Sequence, residues 1–152
     1  MELQLNDKVI LVTGGAKGIG EGIVKVLARE GAIPVIIGRS EGDNTRTLNE
    51  VTAAGGKGFQ VEAELSQPEE CKRAVEQVLA KYGRIDGLVN NAGVNDGVGL
   101  ESGNYERFME SLHKNLVHYY LMAHHALPAL KKSKGAIVNI GSKTAETGQG
   151  NT

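Results

Sequence analysis

Short apolar runs alternate along the chain with longer stretches in which apolar residues recur at helical spacing. Residues 8–13 (KVILVT) are a run of the kind that builds a strand buried on both faces. Ile19, Ile23, Val26 and Leu27 follow at helical spacing, and Gly31 stands where that helix should stop. Residues 33–37 (IPVII) predict a second strand, with Pro34 near its start, where a missing N–H is tolerated. A helix is expected over 41–54, closed by Gly55-Gly56, then a weaker third strand over 58–63. Pro68 opens the next helix, whose Cys71, Val75, Val78, Leu79 and Tyr82 make one apolar stripe. Residues 85–90 (IDGLVN) predict a fourth strand, 105–131 one long helix, and 136–140 a fifth strand, again buried.

Strands that alternate with helices mean βαβ units and a parallel sheet covered on both faces. The expected fold is α/β, a doubly wound parallel sheet of Rossmann type with strand order 3-2-1-4-5. No internal repeat and no low-complexity linker divides the sequence, so residues 1–152 read as one domain.

Composition narrows the function classes. Hydrophobic residues make up 40% and charged residues 23%, a globular profile. Net charge is −1, which gives no general attraction to nucleic acid or to an anionic membrane. No apolar run approaches membrane-spanning length, and MELQLNDKVI lacks the basic-then-apolar pattern of a signal peptide. The one cysteine, Cys71, falls on an apolar helical position and makes no intrachain disulfide, which suits a reducing cytoplasm. His113, His118, His124 and His125 show no metal-ligand spacing, so no metal is expected and they read as partly exposed residues of the long helix.

The 21 glycines gather at strand ends and turns. The strongest motif, Thr13-Gly14-Gly15-Ala16-Lys17-Gly18-Ile19-Gly20, lies between the first strand and the first helix. There a Gly-rich turn lets backbone N–H groups and a helix N-terminus face a pyrophosphate. Its spacing is G-x-x-x-G-x-G, neither the common G-x-G-x-x-G nor a Walker A loop. A second motif, Asn90-Asn91-Ala92-Gly93, ends the fourth strand, where doubly wound sheets bind ligands and where asparagines can tie strand ends together.

TGGAKGIG, NNAG, Asn115 in the long helix and Ser142 after the fifth strand together resemble the short-chain dehydrogenase/reductase family, over the whole chain. The glycine spacing resembles the compact single-domain members, since the extended, epimerase-like members need Gly where this chain has Lys17. VNNAGVNDGVGL and GSKTAETGQGNT resemble a narrower group, the bacterial sugar dehydrogenases that oxidise L-fucose and related aldoses. The resemblance implies coenzyme contacts from Gly14, Ala16, Lys17, Gly18, Ile19, Gly20, Arg39, Ser40, Glu64, Leu65, Asn91, Ala92 and Gly93. It implies that Ser142 hydrogen-bonds the reacting oxygen and that Asn115 holds a water in a proton relay. The family's general base is the Tyr of a Tyr-x-x-x-Lys motif beyond the serine. Tyr82, Tyr105, Tyr119 and Tyr120 are the tyrosines here, and none is followed by Lys four positions on. The chain ends at Thr152, so the expectation is the cofactor-binding part alone, a sheet incomplete at the C-terminal side and truncated before that motif.

Users of NAD commonly carry an acid at the end of the second strand, for the ribose 2′-OH. Here the sequence is Ile37-Gly38-Arg39-Ser40, and Arg39 with Lys17 suits a 2′-phosphate, which points to NADP over NAD. A solvated surface arginine is the plainer alternative. Glu64-Leu65 stands where the family usually has Asp and a small apolar residue on the adenine side. Asn95, Asp96, Glu146, Gln149 and Asn151 make the loops near the active end polar, which suits a sugar as the small-molecule substrate, with Asn95, Glu146 and Gln149 as candidate contacts. Leu112, Leu116, Tyr119, Met122, Leu127 and Leu130 spread wider than one stripe, so the long helix has apolar surface for more than its own sheet; the resemblance implies a subunit interface there, hence a homo-oligomer, and cover by the family's C-terminal half is the alternative. Two function classes stay open: a nicotinamide-dependent oxidoreductase, and a non-catalytic nucleotide-binding module without a general base.

Overall fold

The computed structural model describes residues 3–148. Its parallel sheet contains β1 (Val9–Thr13), β2 (Ile33–Gly38), β3 (Phe59–Glu62), β4 (Gly87–Asn90) and β5 (Ala136–Asn139). The spatial order is β3-β2-β1-β4-β5, in agreement with the expected order. The helices are α1 (Gly18–Arg29), α2 (Glu41–Ala53), α3 (Pro68–Tyr82), α4 (Tyr105–Leu112), α5 (His118–Ser133) and a short α6 (Thr144–Thr147).

Two cores form because successive strand side chains point to opposite faces. Val9 and Leu11 of β1 join Val35 and Ile37 of β2 on one face, under Cys71, Val75 and Val78 of α3 and Met122, Ala126 and Leu130 of α5. Ile10, Val12 and Ile36 point the other way, under Val24 and Ala28 of α1 and Val51 of α2. Full burial of an aliphatic side chain of this size stabilises by roughly 1.5–3 kcal/mol before chain entropy is subtracted. Asp86 locks the lower ends of β1 and β4. Its carboxylate accepts from the Val9 N–H at 2.9 Å and from Arg84 at 2.8 and 2.6 Å. Burial pushes this carboxyl up, but Arg84 and the Val9 N–H outweigh it and hold it below its ordinary value.

The helices start and stop on local chemistry. Ser40 caps α2 by accepting from the Asp43 N–H (3.3 Å), and Asn104 caps α4 by accepting from the Arg107 N–H (2.9 Å). Pro68 sits in the first turn of α3, and Gly83 ends it at φ 67°, a left-handed conformation that glycine adopts without strain.

Three features depart from the sequence pattern. In α1 the residues against the sheet are Gly20, Val24 and Ala28, while Ile19 and Val26 are exposed. Small side chains let this helix approach the strands closely, which turns the larger ones outward. The long helix is not uniform: His113–Val117 form a π-helical turn between α4 and α5, and one wider turn re-aims the side chains on either side of it. Finally, β5 is not buried. Among the described residues it is paired on one side only, with β4, and Ile137 and Val138 are 40% and 50% exposed.

Candidate functional site

Chain direction reverses around β1: it leads to β2 on one side, and the chain later crosses to β4 on the other. Such a switch point opens a crevice at the C-terminal strand ends. The glycine loop lies there and is held on both sides. The Thr13 hydroxyl oxygen accepts from the backbone N–H of Asn91 (2.9 Å) and Ala92 (3.0 Å). The Asn91 amide donates to the carbonyls of Thr13 (3.0 Å) and Gly14 (3.3 Å), and the Gly14 N–H donates to Ile37 O (2.8 Å). Asn90 turns the other way and donates to Asn139 Oδ1 at 3.0 Å, tying the ends of β4 and β5.

A cavity of about 430 Å³ follows this crevice. Its lining brings together Gly14, Ala16, Lys17 and Ile19 from the loop, Arg39 and Ser40 after β2, Glu64 and Leu65 after β3, and Asn91, Ala92 and Gly93 after β4. Gly18 and Gly20 belong to the same turn without lining the cavity; Gly20 is buried beneath it. A wider groove of about 990 Å³ runs along the free edge of β3 and meets the crevice at Arg39, Ala63 and Glu64. The charges in the crevice are already paired. Lys17 Nζ lies 2.7 Å from Asp43, and Arg39 lies 3.9 Å from Glu64. Lys17, together with Ser40, holds the Asp43 carboxyl below its ordinary value. Asp43 and Asn44 line the crevice too, although nothing in the polar pattern of α2 singles them out.

The expected chemistry-bearing side chains are more dispersed. Asn115 sits within the π-helical turn and is half-buried. Its Oδ1 accepts from the Val94 N–H at 2.7 Å and its amide donates to Ser111 O at 3.1 Å, so it anchors the loop that follows NNAG. Ser142 is exposed, with its hydroxyl 2.7 Å from that of Thr144. Asn95 and Glu146 are exposed and do not line the crevice; Gln149 lies outside the described residues. No group of three or more His, Cys, Asp or Glu side chains among the described residues could hold a metal ion. No helix among them is long and apolar enough to cross a membrane.

His118 corrects the expectation of partly exposed histidines, because it is 1% exposed and lines the crevice. Its Nε2 lies 2.8 Å from the Lys114 carbonyl, which can only accept, so Nε2 carries the proton; Nδ1 has no partner among the described residues. Burial pushes this imidazole below 6.5, its ordinary value. A histidine with a lowered folded pKa contributes stability that is present above the unfolded pKa and is lost as pH falls below it. Unfolding free energy should therefore fall between pH 7 and pH 5, with His118 contributing at most about 1.4 kcal/mol per pH unit. Denaturant melts across that range should show a shallower pH slope in His118→Phe. An unchanged slope would place the titration elsewhere.

The model of the short chain dehydrogenase family matches residues 8–152. The chain belongs to that family. The L-fucose dehydrogenase of Bos taurus is 34% identical over 143 residues, 93% of this chain and 52% of that protein. The crystal structure of Cj0485 dehydrogenase superposes with a TM-score of 0.90 at 42% identity, covering 100% of this chain and 58% of that one. An NADH-dependent reductase, A1-R′, complexed with NAD, gives 0.92 at 30% identity over 99% and 66% of the two chains. A metagenomic short-chain oxidoreductase in complex with NADP gives 0.86 at 34% over 91% and 63%. Short-chain dehydrogenases related to this chain thus bind either coenzyme. The chain spans about half the length of the curated relatives it matches.

Proposed function

We propose that this chain is the coenzyme-binding part of a short-chain oxidoreductase that uses a nicotinamide dinucleotide and acts on a polar secondary alcohol or aldose. The observation that carries the reading is the crevice at the switch point, floored by the glycine loop and opening at the N-terminus of α1. The residues fit a pyrophosphate. A Cβ built on Gly18 meets nothing within 4 Å, so the approach to the helix end is open. The first N–H groups of a helix have no internal partner and favour an anion. Leu65 and Ala92 offer apolar surface to a base. When bound, the nicotinamide supplies the hydride chemistry; the residues of this chain bind and orient it.

NADP preference follows from Arg39 and Lys17 at the ribose end, with no acid between Ile37 and Ser40. Their carboxylate neighbours, Glu64 and Asp43, must yield to a 2′-phosphate, which moderates the preference. Arg39→Asp should lower NADP affinity about tenfold or more and raise that for NAD, since a charge-assisted hydrogen bond is exchanged for repulsion. Calorimetric titration of both nucleotides checks this; equal affinities in the unaltered protein would defeat it.

The aldose reading is supported by the polar loops bearing Asn95, Asp96 and Glu146, and by the likeness to an L-fucose dehydrogenase. A turnover panel of aldoses against hydrophobic ketones, on a form that carries the family's Tyr-x-x-x-Lys pair, decides it. Preference for the ketones would overturn the aldose reading. Self-association belongs to the same proposal, because Phe108, Leu116, Tyr120 and Leu127 expose apolar surface along α4, the π-helical turn and α5. A second reading, a nucleotide-binding module without catalysis, is favoured by one observation: no tyrosine in residues 1–152 has a lysine four positions on.

A further inference from the structure

The glycine loop is gripped from a direction its own sequence does not reveal. The Ala16 carbonyl accepts two hydrogen bonds from α2, from Arg46 Nη2 at 2.7 Å and from Thr47 Oγ1 at 3.1 Å. The next residue, Lys17, is tied to Asp43 of the same helix. Thr47 is fully buried. Arg46 is exposed, but its guanidinium is fixed by Glu50 one turn away (2.9 Å) and by Glu21 on α1 (3.2 Å). Lys25 closes the ring by pairing with the same two carboxylates, at 2.5 and 2.6 Å. One charged ring therefore spans α1 and α2 and aims an arginine at one loop carbonyl.

The consequence follows from peptide geometry. In a trans peptide the C=O and the N–H point in opposite directions, and there are no cis bonds among the described residues. With the Ala16 oxygen drawn to α2, the Lys17 N–H points away from α2, and it donates to no acceptor among the described residues. Were this peptide to turn over, a carbonyl oxygen would replace an N–H beside the N-terminus of α1. An oxygen there repels a phosphate; an N–H attracts one.

We propose that Thr47 and Arg46 are positioning residues for the pyrophosphate of the bound nucleotide. They hold the Ala16 carbonyl against α2 so that the Lys17 N–H is presented to the phosphates. This rests on the nucleotide-binding reading and adds to it the residues outside the loop that set phosphate affinity.

The test compares ADP, which carries the pyrophosphate, with adenosine, which shares only the base and ribose. ADP is titrated calorimetrically, and adenosine by chemical-shift titration. Thr47→Val keeps the shape and removes the hydroxyl; it should weaken ADP about five- to tenfold, the worth of one hydrogen bond, and change adenosine less than about twofold. Thr47→Ser keeps the hydroxyl and should restore ADP affinity. Arg46→Met, at an exposed position, carries the same comparison if Thr47→Val does not melt cooperatively. Unchanged ADP affinity in both variants would overturn the clamp and leave nucleotide binding standing. Equal losses for ADP and adenosine would overturn it too, by marking a general loosening of α2. If the unaltered protein binds neither ADP nor NAD(P), the nucleotide reading fails, and the clamp with it.

Discussion

Gly20→Ala should remove most of the nucleotide affinity and destabilise the fold, while Gly22→Ala, two residues on, should do neither. A Cβ built on Gly20 lies 2.2 Å from the Gly14 carbonyl oxygen and 2.6 Å from Asn91 Nδ2. Both atoms are parts of the loop's frame. The Asn91 amide donates to the Thr13 and Gly14 carbonyls, so pushing it away breaks the tie between β1 and β4 just where the crevice opens. Overpacking of this kind costs about 1–3 kcal/mol of stability. A loop displaced by a fraction of an ångström also no longer presents its N–H groups in register, and about a tenfold or greater loss of affinity is expected for each charge-assisted hydrogen bond lost. The Gly22 Cβ, by contrast, meets nothing within 4 Å, and the residue is exposed within α1. Alanine there should stabilise the helix by up to about 1 kcal/mol. Calorimetric titration with NAD and NADP, together with thermal melts of both variants, checks the pair. Wild-type affinity in Gly20→Ala would show that the loop does not receive the nucleotide.

How much of this could be read from the sequence depended on the range of the interaction. The strands were legible because burial on both faces leaves continuous apolar runs, as in VILVT of β1. The strand order β3-β2-β1-β4-β5 agrees with the expectation, but alternation by itself is compatible with other doubly wound orders as well. The glycine loop and NNAG were legible because backbone approach demands residue types that few other situations demand. The clamp on Ala16 was not, because Arg46 and Thr47 lie 30 and 31 residues away on a helix whose pattern is mostly polar. In such a pattern a buried threonine is indistinguishable from a solvated one. The π-helical turn was also hidden: HKNLV is compatible with an ordinary helix, and the wider turn is set by packing. The helical pattern misjudges His118, whereas β5, for all its apolar run, is exposed as the edge strand that a sheet incomplete at the C-terminal side implies. Burial is decided by what lies opposite a residue: His118 lies beneath the crevice, whereas β5, among the described residues, has a neighbouring strand on one side only.

The 152-residue polypeptide, assayed by itself, should oxidise no aldose at a rate near that of the dehydrogenases it resembles. The four tyrosines can be taken in turn as substitutes for a general base. Tyr119 is nearest in chain to Asn115, but its hydroxyl donates to the Ile140 carbonyl at 3.0 Å, and burial pushes its pKa up, away from neutral pH. Tyr82 packs against Phe59 at the far edge of the sheet, and burial raises its pKa as well. Tyr105 and Tyr120 are 72% and 69% exposed, with Tyr120 stacked on His124. None has a lysine four positions on, and the Ser142 hydroxyl is hydrogen-bonded to that of Thr144. Lack of a positioned base costs a factor of about 10² to 10⁴. The same polypeptide should self-associate. The free edge of β5, its exposed Ile137 and Val138, and the apolar stripe of α4 and α5 leave strand and helix surface without cover. Mass measured in solution should exceed that of a monomer, and the absorbance of reduced nicotinamide should stay flat across a panel of aldoses. A monomer that melts cooperatively and turns over at an ordinary dehydrogenase rate would overturn both expectations. It would also require a base from some group other than these tyrosines.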